Sequence, residues 1–221
     1  MSTCKKAFLF DLNGTIIDDM HYHCQAWFDI LNNDLEAGLS WDVVKSHMYG
    51  KNQELLVRVF GSDRFTTEEM DVLSVEKEKR YQATYRPHLK LIDGLEGFLQ
   101  WAQEKGIPMA IGSAAILFNV DFVLDGLDIR QYFPSVVCAE HVETSKPHPE
   151  TFLKGAEELG VDPENCIVFE DAPKGVEAAL NAGMKAVVLT TMHTKEEFAQ
   201  YPNIICFIED YNDPQLKELL G

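Results

Sequence analysis

The chain has 221 residues, enough for one large domain or for a core with a small insert. Its content of 46% hydrophobic and 25% charged residues excludes disordered, collagen-like and low-complexity proteins. Lys and Arg number 19 and Asp and Glu number 36, so the formal net charge is −17. Such an acidic surface repels phosphate backbones and anionic membranes, and we expect neither nucleic acid nor a membrane as a partner. A phosphate ligand would need a few placed cations or a metal ion.

We expect no signal for export in this sequence. Its first ten residues have no long apolar stretch, and no apolar run approaches the roughly 18 residues of a membrane span. The cysteines are far apart, and no two of them have the CxxC spacing of a zinc site: Cys4, Cys24, Cys138, Cys166 and Cys206. We therefore expect a cytoplasmic monomer with buried, reduced thiols.

Short apolar runs that are mostly continuous, not alternating, are typical of parallel strands covered on both faces. Six such runs are present, at residues 6–10, 108–112, 135–139, 166–170, 185–190 and 204–207. Helical patterns lie between several of them, at residues 94–105, 149–159 and 173–182. The repeated order of strand and helix predicts an α/β fold, with a Rossmann-like, doubly wound parallel sheet as its core.

One stretch interrupts this alternation. Between residues 18 and 88 no buried strand is visible, and four helical patterns follow one another at residues 20–32, 40–48, 51–60 and 66–85. Thr66 and Glu69 have the spacing of a capping box. Asp18 and Asp19 mark a hinge or cap the first helix. We expect residues 1–17 and 89–221 to form the core domain and residues 18–88 to form a four-helix cap domain.

Polar side chains follow predicted strands or precede a predicted helix at several points: Asp11, Ser113, Lys146, Glu170 and Asp171. Residues 11–15 alone would indicate only a tight turn, since Asn-Gly is a common turn pair. Ligands of open α/β sheets, however, bind beyond the carboxyl ends of the strands, so these side chains should converge. Carboxylates suit Mg²⁺, a free carboxylate can attack phosphorus, and a lysine and a hydroxyl can hold phosphoryl oxygens. The chemistry that fits is phosphoryl transfer.

The segments that carry these residues resemble the four motifs of the haloacid dehalogenase superfamily of phosphohydrolases: residues 10–15, 111–114, 145–149 and 169–176. Within it, the chain is similar to the beta-phosphoglucomutase-like group, which has a helical cap after the first motif. The resemblance covers nearly the whole chain. It implies that Asp11 is the nucleophile. It also implies that Mg²⁺ is bound by Asp11, the backbone carbonyl of Asn13 and Asp171, with Glu170 close by.

The same resemblance assigns substrate contacts. It implies that Ser113 and Lys146 hold the transferring phosphoryl group, and Ala114 is a further candidate substrate-binding residue. In the cap, four residues stand where the group has counterparts: His23, Trp27, Gly50 and Lys77. A lone His or Trp on a helix is more often a packing residue, and we assign Trp27 to the core. His23, Gly50 and Lys77 are candidate substrate-binding residues.

Residue 13 departs from the family's usual motif, which has an acid/base Asp at that position. Asn13 keeps the backbone carbonyl, but its amide cannot act as an acid or a base near neutral pH. Loss of such help typically slows a reaction by about 10²–10⁴-fold. Three interpretations stay open. The protein is a slow or specialised phosphatase in which water or His23 relays the proton, or Asn13 is a substitution made to trap a ligand, or the chain binds a phosphorylated metabolite without turning it over.

A second departure concerns mutase activity, which requires cations for a second phosphate. Where the beta-phosphoglucomutase pattern has an Arg after the cap glycine, the chain has Gln53, and residues 115–118 are apolar where a Lys is expected. We therefore expect a Mg²⁺-dependent phosphohydrolase that acts on a small phosphorylated metabolite, with a sugar phosphate favoured, through an aspartyl phosphate. The alternatives are a beta-phosphoglucomutase and a catalytically disabled protein that binds a phosphorylated metabolite.

Overall fold

The computed structural model describes residues 6–216, so Cys4 lies outside the described residues. A six-stranded parallel sheet forms the centre, in the order β3-β2-β1-β4-β5-β6. The strands are β1 (Ala7–Phe10), β2 (Met109–Gly112), β3 (Ser135–Val137), β4 (Cys166–Glu170), β5 (Lys185–Leu189) and β6 (Ile204–Ile208). This order runs in opposite directions on the two sides of β1, as in a doubly wound sheet, and confirms the predicted fold class.

Helices cover both faces of the sheet: α5 (Leu95–Glu104), α6 (Leu117–Gly126), α7 (Glu150–Leu159) and α8 (Pro173–Asn181). The side chains of β1 alternate between the two layers. Phe8 and Phe10 pack in one buried cluster with residues of α5 and α6, and Ala7 and Leu9 pack in another with residues of α7 and α8. Because both faces are covered, the strand is apolar throughout. Single 3₁₀ turns occur at Arg86–His88, Arg130–Tyr132, Ala139–His141, Pro163–Asn165 and Lys195–Phe198.

Four α-helices lie between β1 and α5, and we call them the cap helices: α1 (Met20–Asp29), α2 (Trp41–Ser46), α3 (Asn52–Phe60) and α4 (Thr67–Tyr85). A π-helical segment, Ile30–Asp34, continues α1. The cap helices bury a cluster of their own around Trp27, Ile30 and Leu56. Tyr81 and Tyr85 of α4 instead pack in the same cluster as the phenylalanines of β1. The division at residues 17/18 and 88/89 stays a prediction.

Two local details bear on the sequence analysis. The capping box at the start of α4 is present, with Glu69 N donating to Thr66 Oγ1 at 3.2 Å and Thr66 N donating to Glu69 Oε2 at 2.8 Å. Asp19 occupies the N-cap of α1, one of the two roles expected for Asp18 and Asp19, but its side chain makes no capping hydrogen bond. Its carboxylate points instead toward other buried polar groups.

The remaining expectations concern thiols and membranes. The four cysteines in the described range are free and buried, and burial raises the pKa of the Cys138 thiol to about 12. Within that range no helix has both the length and the apolar character needed to cross a bilayer.

Candidate active site

The loop after β1 brings the first acidic residue to the carboxyl edge of the sheet. Asp11 N donates to the carbonyl of Phe169 at 2.9 Å, which ties this loop to β4. Gly14 has φ +79°, and a Cβ there would lie 2.1 Å from Oδ2 of Asp171. Only glycine therefore lets the loop pass so close to the second carboxylate.

Three buried carboxylates converge at this edge. Asp11, Glu170 and Asp171 each offer an oxygen, and these oxygens lie within 4.8 Å of one another. Lys146, in the loop before α7, reaches into the cluster and donates to Asp11 Oδ1 at 2.6 Å and to Glu170 Oε1 at 2.8 Å. The ammonium group also lies over the ring of Phe152, 4.7 Å from its centroid. One cation thus joins two of the three acids.

The contacts of Glu170 indicate a positioning role. Its Oε2 accepts from the backbone N–H groups of Asp171 and Ala172 at 2.9 and 2.8 Å, while its Oε1 faces Lys146. A Cβ at Gly175 would lie 1.7 Å from Glu170 Oε1, so only glycine fits at this position in the first turn of α8. Both oxygens of Glu170 are therefore used within the protein.

The electrostatics of the cluster favour a bound cation. Burial raises the pKa of Asp11 to about 7 although the charge of Lys146 opposes this, and Glu170 adds to the rise. Burial and the charges of Glu170 and Asp11 raise the pKa of Asp171 well above its usual range. Among the described residues, none donates a hydrogen bond to the carboxylate of Asp171. Carboxylate oxygens suit a hard divalent cation such as Mg²⁺, so these residues fit the predicted metal.

The hydroxyl of Ser113 lies just after β2, the strand that pairs with β1. Ser113 N donates to the carbonyl of Val137 at 2.9 Å, and its Oγ accepts from Ala115 N at 3.1 Å. Gly112, just before it, packs under the ring of Phe152, where a Cβ would lie 3.0 Å from ring carbons. β2 and β3 therefore fix the buried serine at the same edge as the carboxylates.

Asn13 faces a buried carboxylate that the sequence analysis did not connect with it. Its Nδ2 donates to Asp19 Oδ2 at 2.6 Å. The hydroxyl of Tyr81 donates to the same oxygen at 2.5 Å, and Nε2 of His23 lies 3.1 Å from it. The 2.9 Å separation of Asn13 Nδ2 and His23 Nε2 follows because both nitrogens approach one acceptor. Asp19 thus links the loop after β1 to α1 and α4.

The ring of His23 is held on both edges and on one face. Lys77 Nζ lies 2.5 Å from Nδ1, and since an ammonium can only donate, Nδ1 is the acceptor. A neutral ring then carries its hydrogen on Nε2, facing Asp19; the hydrogen-bond network assigns this tautomer. Tyr81 stacks on the ring with centroids 3.7 Å apart.

The cap helices also contact the loop that carries Lys146. Gly50, with φ +74°, precedes α3, and a Cβ there would lie 2.0 Å from Glu54 Oε2. Ser145 Oγ donates to that oxygen at 2.6 Å, and Lys51 Nζ donates to the carbonyl of Val142 at 2.6 Å. Two polar contacts therefore join the start of α3 to the edge of the sheet.

A cavity of about 140 Å³ lies between the cap helices and the sheet edge. All the candidate residues from the sequence line it: Asp11, Asn13, His23, Gly50, Lys77, Ser113, Ala114, Lys146, Glu170 and Asp171. Their individual roles stay predictions. Trp27 lines the cavity as well and is buried in the cap cluster.

Sequence reasoning missed Asn52 and Glu78, which line the same cavity, and Asp19, which lies behind it. A Lys-Glu pair on a helix is usually solvent-exposed, so Lys77-Glu78 gave no signal as a pair. The spacing of Ser74, Lys77, Glu78, Tyr81, Gln82 and Tyr85 at three and four residues could have shown that they share one helix face.

Comparisons with known proteins agree with this geometry. A family profile described as haloacid dehalogenase-like hydrolase matches residues 5–183. The fructose-1-phosphate phosphatase of Escherichia coli is 33% identical over 186 residues, which cover 81% of this chain and 93% of that protein. Hexitol phosphatase A of Escherichia coli is 31% identical over 188 residues, which cover 83% of this chain and 82% of that protein.

Solved structures give the same result. The crystal structure of beta-phosphoglucomutase from Clostridium difficile matches with a TM-score of 0.84 at 27% identity, and the match covers 97% of this chain and 95% of that one. The resemblance inferred from the four motifs is thereby confirmed. The chain belongs to the haloacid dehalogenase-like hydrolase family.

Proposed function

We propose that the protein is a Mg²⁺-dependent phosphatase whose substrate is a small phosphorylated metabolite, with a sugar phosphate favoured. The observation that carries the proposal is the contact of Lys146 with Asp11, beside the unpaired carboxylate of Asp171, at the wall of the cavity. A nucleophile, a phosphate-binding cation and a metal-binding group thus share one small space. The relatives named as fructose-1-phosphate and hexitol phosphatases support the substrate class.

The metal would be held by a carboxylate oxygen of Asp11, the backbone carbonyl of Asn13 and the carboxylate of Asp171. When bound, Mg²⁺ supplies positive charge that offsets the negative charge on phosphoryl oxygens. Glu170 uses both its oxygens within the protein and would hold Lys146 and the turn after β4 in place.

The proposed reaction starts with attack of an Asp11 oxygen on phosphorus. The bond from phosphorus to the ester oxygen breaks, and the departing alcohol takes a proton. Water then attacks the aspartyl phosphate, gives up a proton, and releases phosphate and the Asp11 carboxylate. Lys146 and Ser113 hold the phosphoryl oxygens in both steps.

Asn13 leaves both proton transfers without the family's usual acid/base. The contacts of His23 favour water as the relay, since Nδ1 already accepts from Lys77 and Nε2 carries a hydrogen toward Asp19. We therefore expect turnover well below that of an enzyme with an aspartate at this position.

The cations available argue against a mutase. Gln53 is hydrogen-bonded to Asp71 and is not among the residues that line the cavity, while Ala115 contributes an apolar wall. Neither position offers a donor to a second phosphate group. This arrangement favours a hydrolase over a beta-phosphoglucomutase.

Hydrolysis of p-nitrophenyl phosphate, with Mg²⁺ or with EDTA, tests the proposal. We expect Mg²⁺-dependent release of phosphate by the parent and none by Asp11→Asn, which also controls for contaminating phosphatases. Activity that persists in Asp11→Asn would refute the proposal. Silence of the parent, with binding of a sugar phosphate in calorimetry, would favour the binding protein. Glucose 6-phosphate formed from beta-glucose 1-phosphate and glucose 1,6-bisphosphate would favour the mutase.

A further inference from the structure

Glu78 of α4 is a buried carboxylate on the cap side of the cavity. It is 1% exposed and lines the cavity. Its Oε1 accepts from Asn52 Nδ2 at 3.0 Å and from Lys77 Nζ at 2.9 Å. Its Oε2 is also buried, and among residues 6–216 nothing donates a hydrogen bond to it. The nearest ring nitrogen, Nδ1 of His23, lies 3.8 Å away. One oxygen is paired, and the other has no hydrogen-bond partner among the described residues.

A buried acceptor without a partner costs free energy, and folded proteins rarely keep one without a reason. Burial alone would raise the pKa of Glu78, but the charge of Lys77 and the hydrogen bonds from Asn52 and Lys77 hold it below its usual value. The group is therefore a carboxylate at neutral pH and can only accept. Because Glu78 lines the cavity, a ligand bound there can supply the missing donor.

The charges around Glu78 limit what that donor can be. The nearest cation, Lys77, is already paired with Glu78 and His23. Lys51 donates to backbone carbonyls, Lys146 lies in the acidic cluster, and Lys174 is paired with Glu177. A second phosphate on the substrate would meet the carboxylate of Glu78, and each of these four cavity lysines already has a partner within the protein. An uncharged hydroxyl group can donate to Oε2 without such repulsion.

We propose that Glu78, held in place by Asn52, determines specificity by accepting a hydrogen bond from a hydroxyl group of the substrate. The substrate is then a monophosphate with a hydroxyl-rich, uncharged remainder, and neither a bisphosphate nor an alkyl phosphate is a good substrate. This inference rests on the proposed phosphatase function and adds the part of the substrate that does not react.

A matched pair of substrates and one substitution test the proposal. Sorbitol 6-phosphate and hexyl phosphate share six carbons and a phosphate, but only the first carries further hydroxyl groups. In Glu78→Gln the amide oxygen stays with Asn52 and Lys77, which places an NH₂ group where the free acceptor was. We expect kcat/KM for sorbitol 6-phosphate to fall about tenfold, mainly through KM, because a charged acceptor is replaced by a neutral donor. Activity on hexyl phosphate should change less than twofold.

Glu76 supplies the control on the same helix. Its exposed carboxylate pairs with Arg80, so Glu76→Gln should not change kcat/KM for either substrate. Asn52→Ala is a second variant, in case Glu78→Gln does not fold by circular dichroism. It removes one donor to Oε1 and should selectively raise KM for sorbitol 6-phosphate.

Equal losses on both substrates, or no loss on sorbitol 6-phosphate, would overturn the proposal. So would a parent that turns over both substrates equally well. Failure of the phosphatase function itself gives a different result, in which neither substrate is hydrolysed in a manner that depends on Asp11. Calorimetry would then still test Glu78, by comparing the binding of sorbitol 6-phosphate to Asp11→Asn and to the double variant Asp11→Asn/Glu78→Gln.

Discussion

The amide of Asn13 and the carboxylate of Asp19 form a matched pair at the residue scale. Asp19 Oδ2 accepts from Asn13 Nδ2 at 2.6 Å and from the hydroxyl of Tyr81. Its Oδ1 is buried and has no partner among the described residues. An aspartate at position 13 would bring a second carboxylate against this group. The identity of residue 13 is therefore linked to that of residue 19.

This linkage predicts how Asn13→Asp behaves. The substitution removes a donor to a buried carboxylate and adds like charge, so we expect the free energy of unfolding to fall by about 1–3 kcal/mol. The double variant Asn13→Asp/Asp19→Asn restores one amide and one carboxylate and should recover most of the loss. Urea unfolding of both single variants and the double variant measures the coupling. Additive effects would contradict the pairing.

Asp11 gives a pH-dependent prediction. Burial raises its pKa from 3.8 to about 7, so between these values the folded protein binds a proton that the unfolded chain releases. The contribution of Asp11 to stability is therefore greatest at low pH and is lost as the pH rises through about 7. In EDTA, the melting temperature of the parent minus that of Asp11→Asn should decrease as the pH rises from 5 to 8. Lys146 keeps its charge across this range, because Asp11 and Glu170 raise its pKa although burial opposes this. A constant difference would contradict the prediction.

At the scale of elements, the contact between α3 and the loop of Lys146 couples the cap helices to the site. Ser145 Oγ donates to Glu54, and Lys146 follows directly. We expect Ser145→Ala to lower kcat/KM by roughly twofold to tenfold, the value of one net hydrogen bond, by loosening this loop. Ser46→Ala is the control, because Ser46 Oγ donates to Val43 O within the cap and to no other group among residues 6–216. Equal effects of the two substitutions on p-nitrophenyl phosphate hydrolysis would argue against the coupling.

The strands were predictable because each is buried on both faces, which leaves a continuous apolar run. The predicted strand at residues 135–139 ends early, at Val137, since Cys138 N bonds to His141 Nδ1 and a 3₁₀ turn follows. The polar residues of the site that follow strands were predictable for the same reason, because each comes directly after such an apolar run. Helix α4 was harder to interpret, because Lys77 and Glu78 face a cavity and look like a solvent-exposed pair. The Asp19 contact depends on how α1 and α4 pack together, which no local pattern encodes.

The whole molecule carries a net charge of −17, and its site concentrates three of the acids. Repulsion within such a surface destabilises the folded state, and any salt relieves part of it. Lys146 neutralises one charge in the cluster, but the carboxylate of Asp171 has no donor among the described residues. A divalent cation at the cluster should therefore stabilise the protein beyond what screening provides.

Thermal unfolding in MgCl₂, compared with NaCl at equal ionic strength, separates these two effects. At a Mg²⁺ concentration 100 times its Kd, we expect an added stability of about 2.7 kcal/mol. Asp171→Asn should be more stable than the parent in EDTA, because it removes a buried acid whose ionised form is unfavourable beside Glu170 and Asp11, yet it should gain no more from MgCl₂ than from NaCl. An equal response of the parent to the two salts, or a full Mg²⁺ response in Asp171→Asn, would show that the acids do not form a metal site.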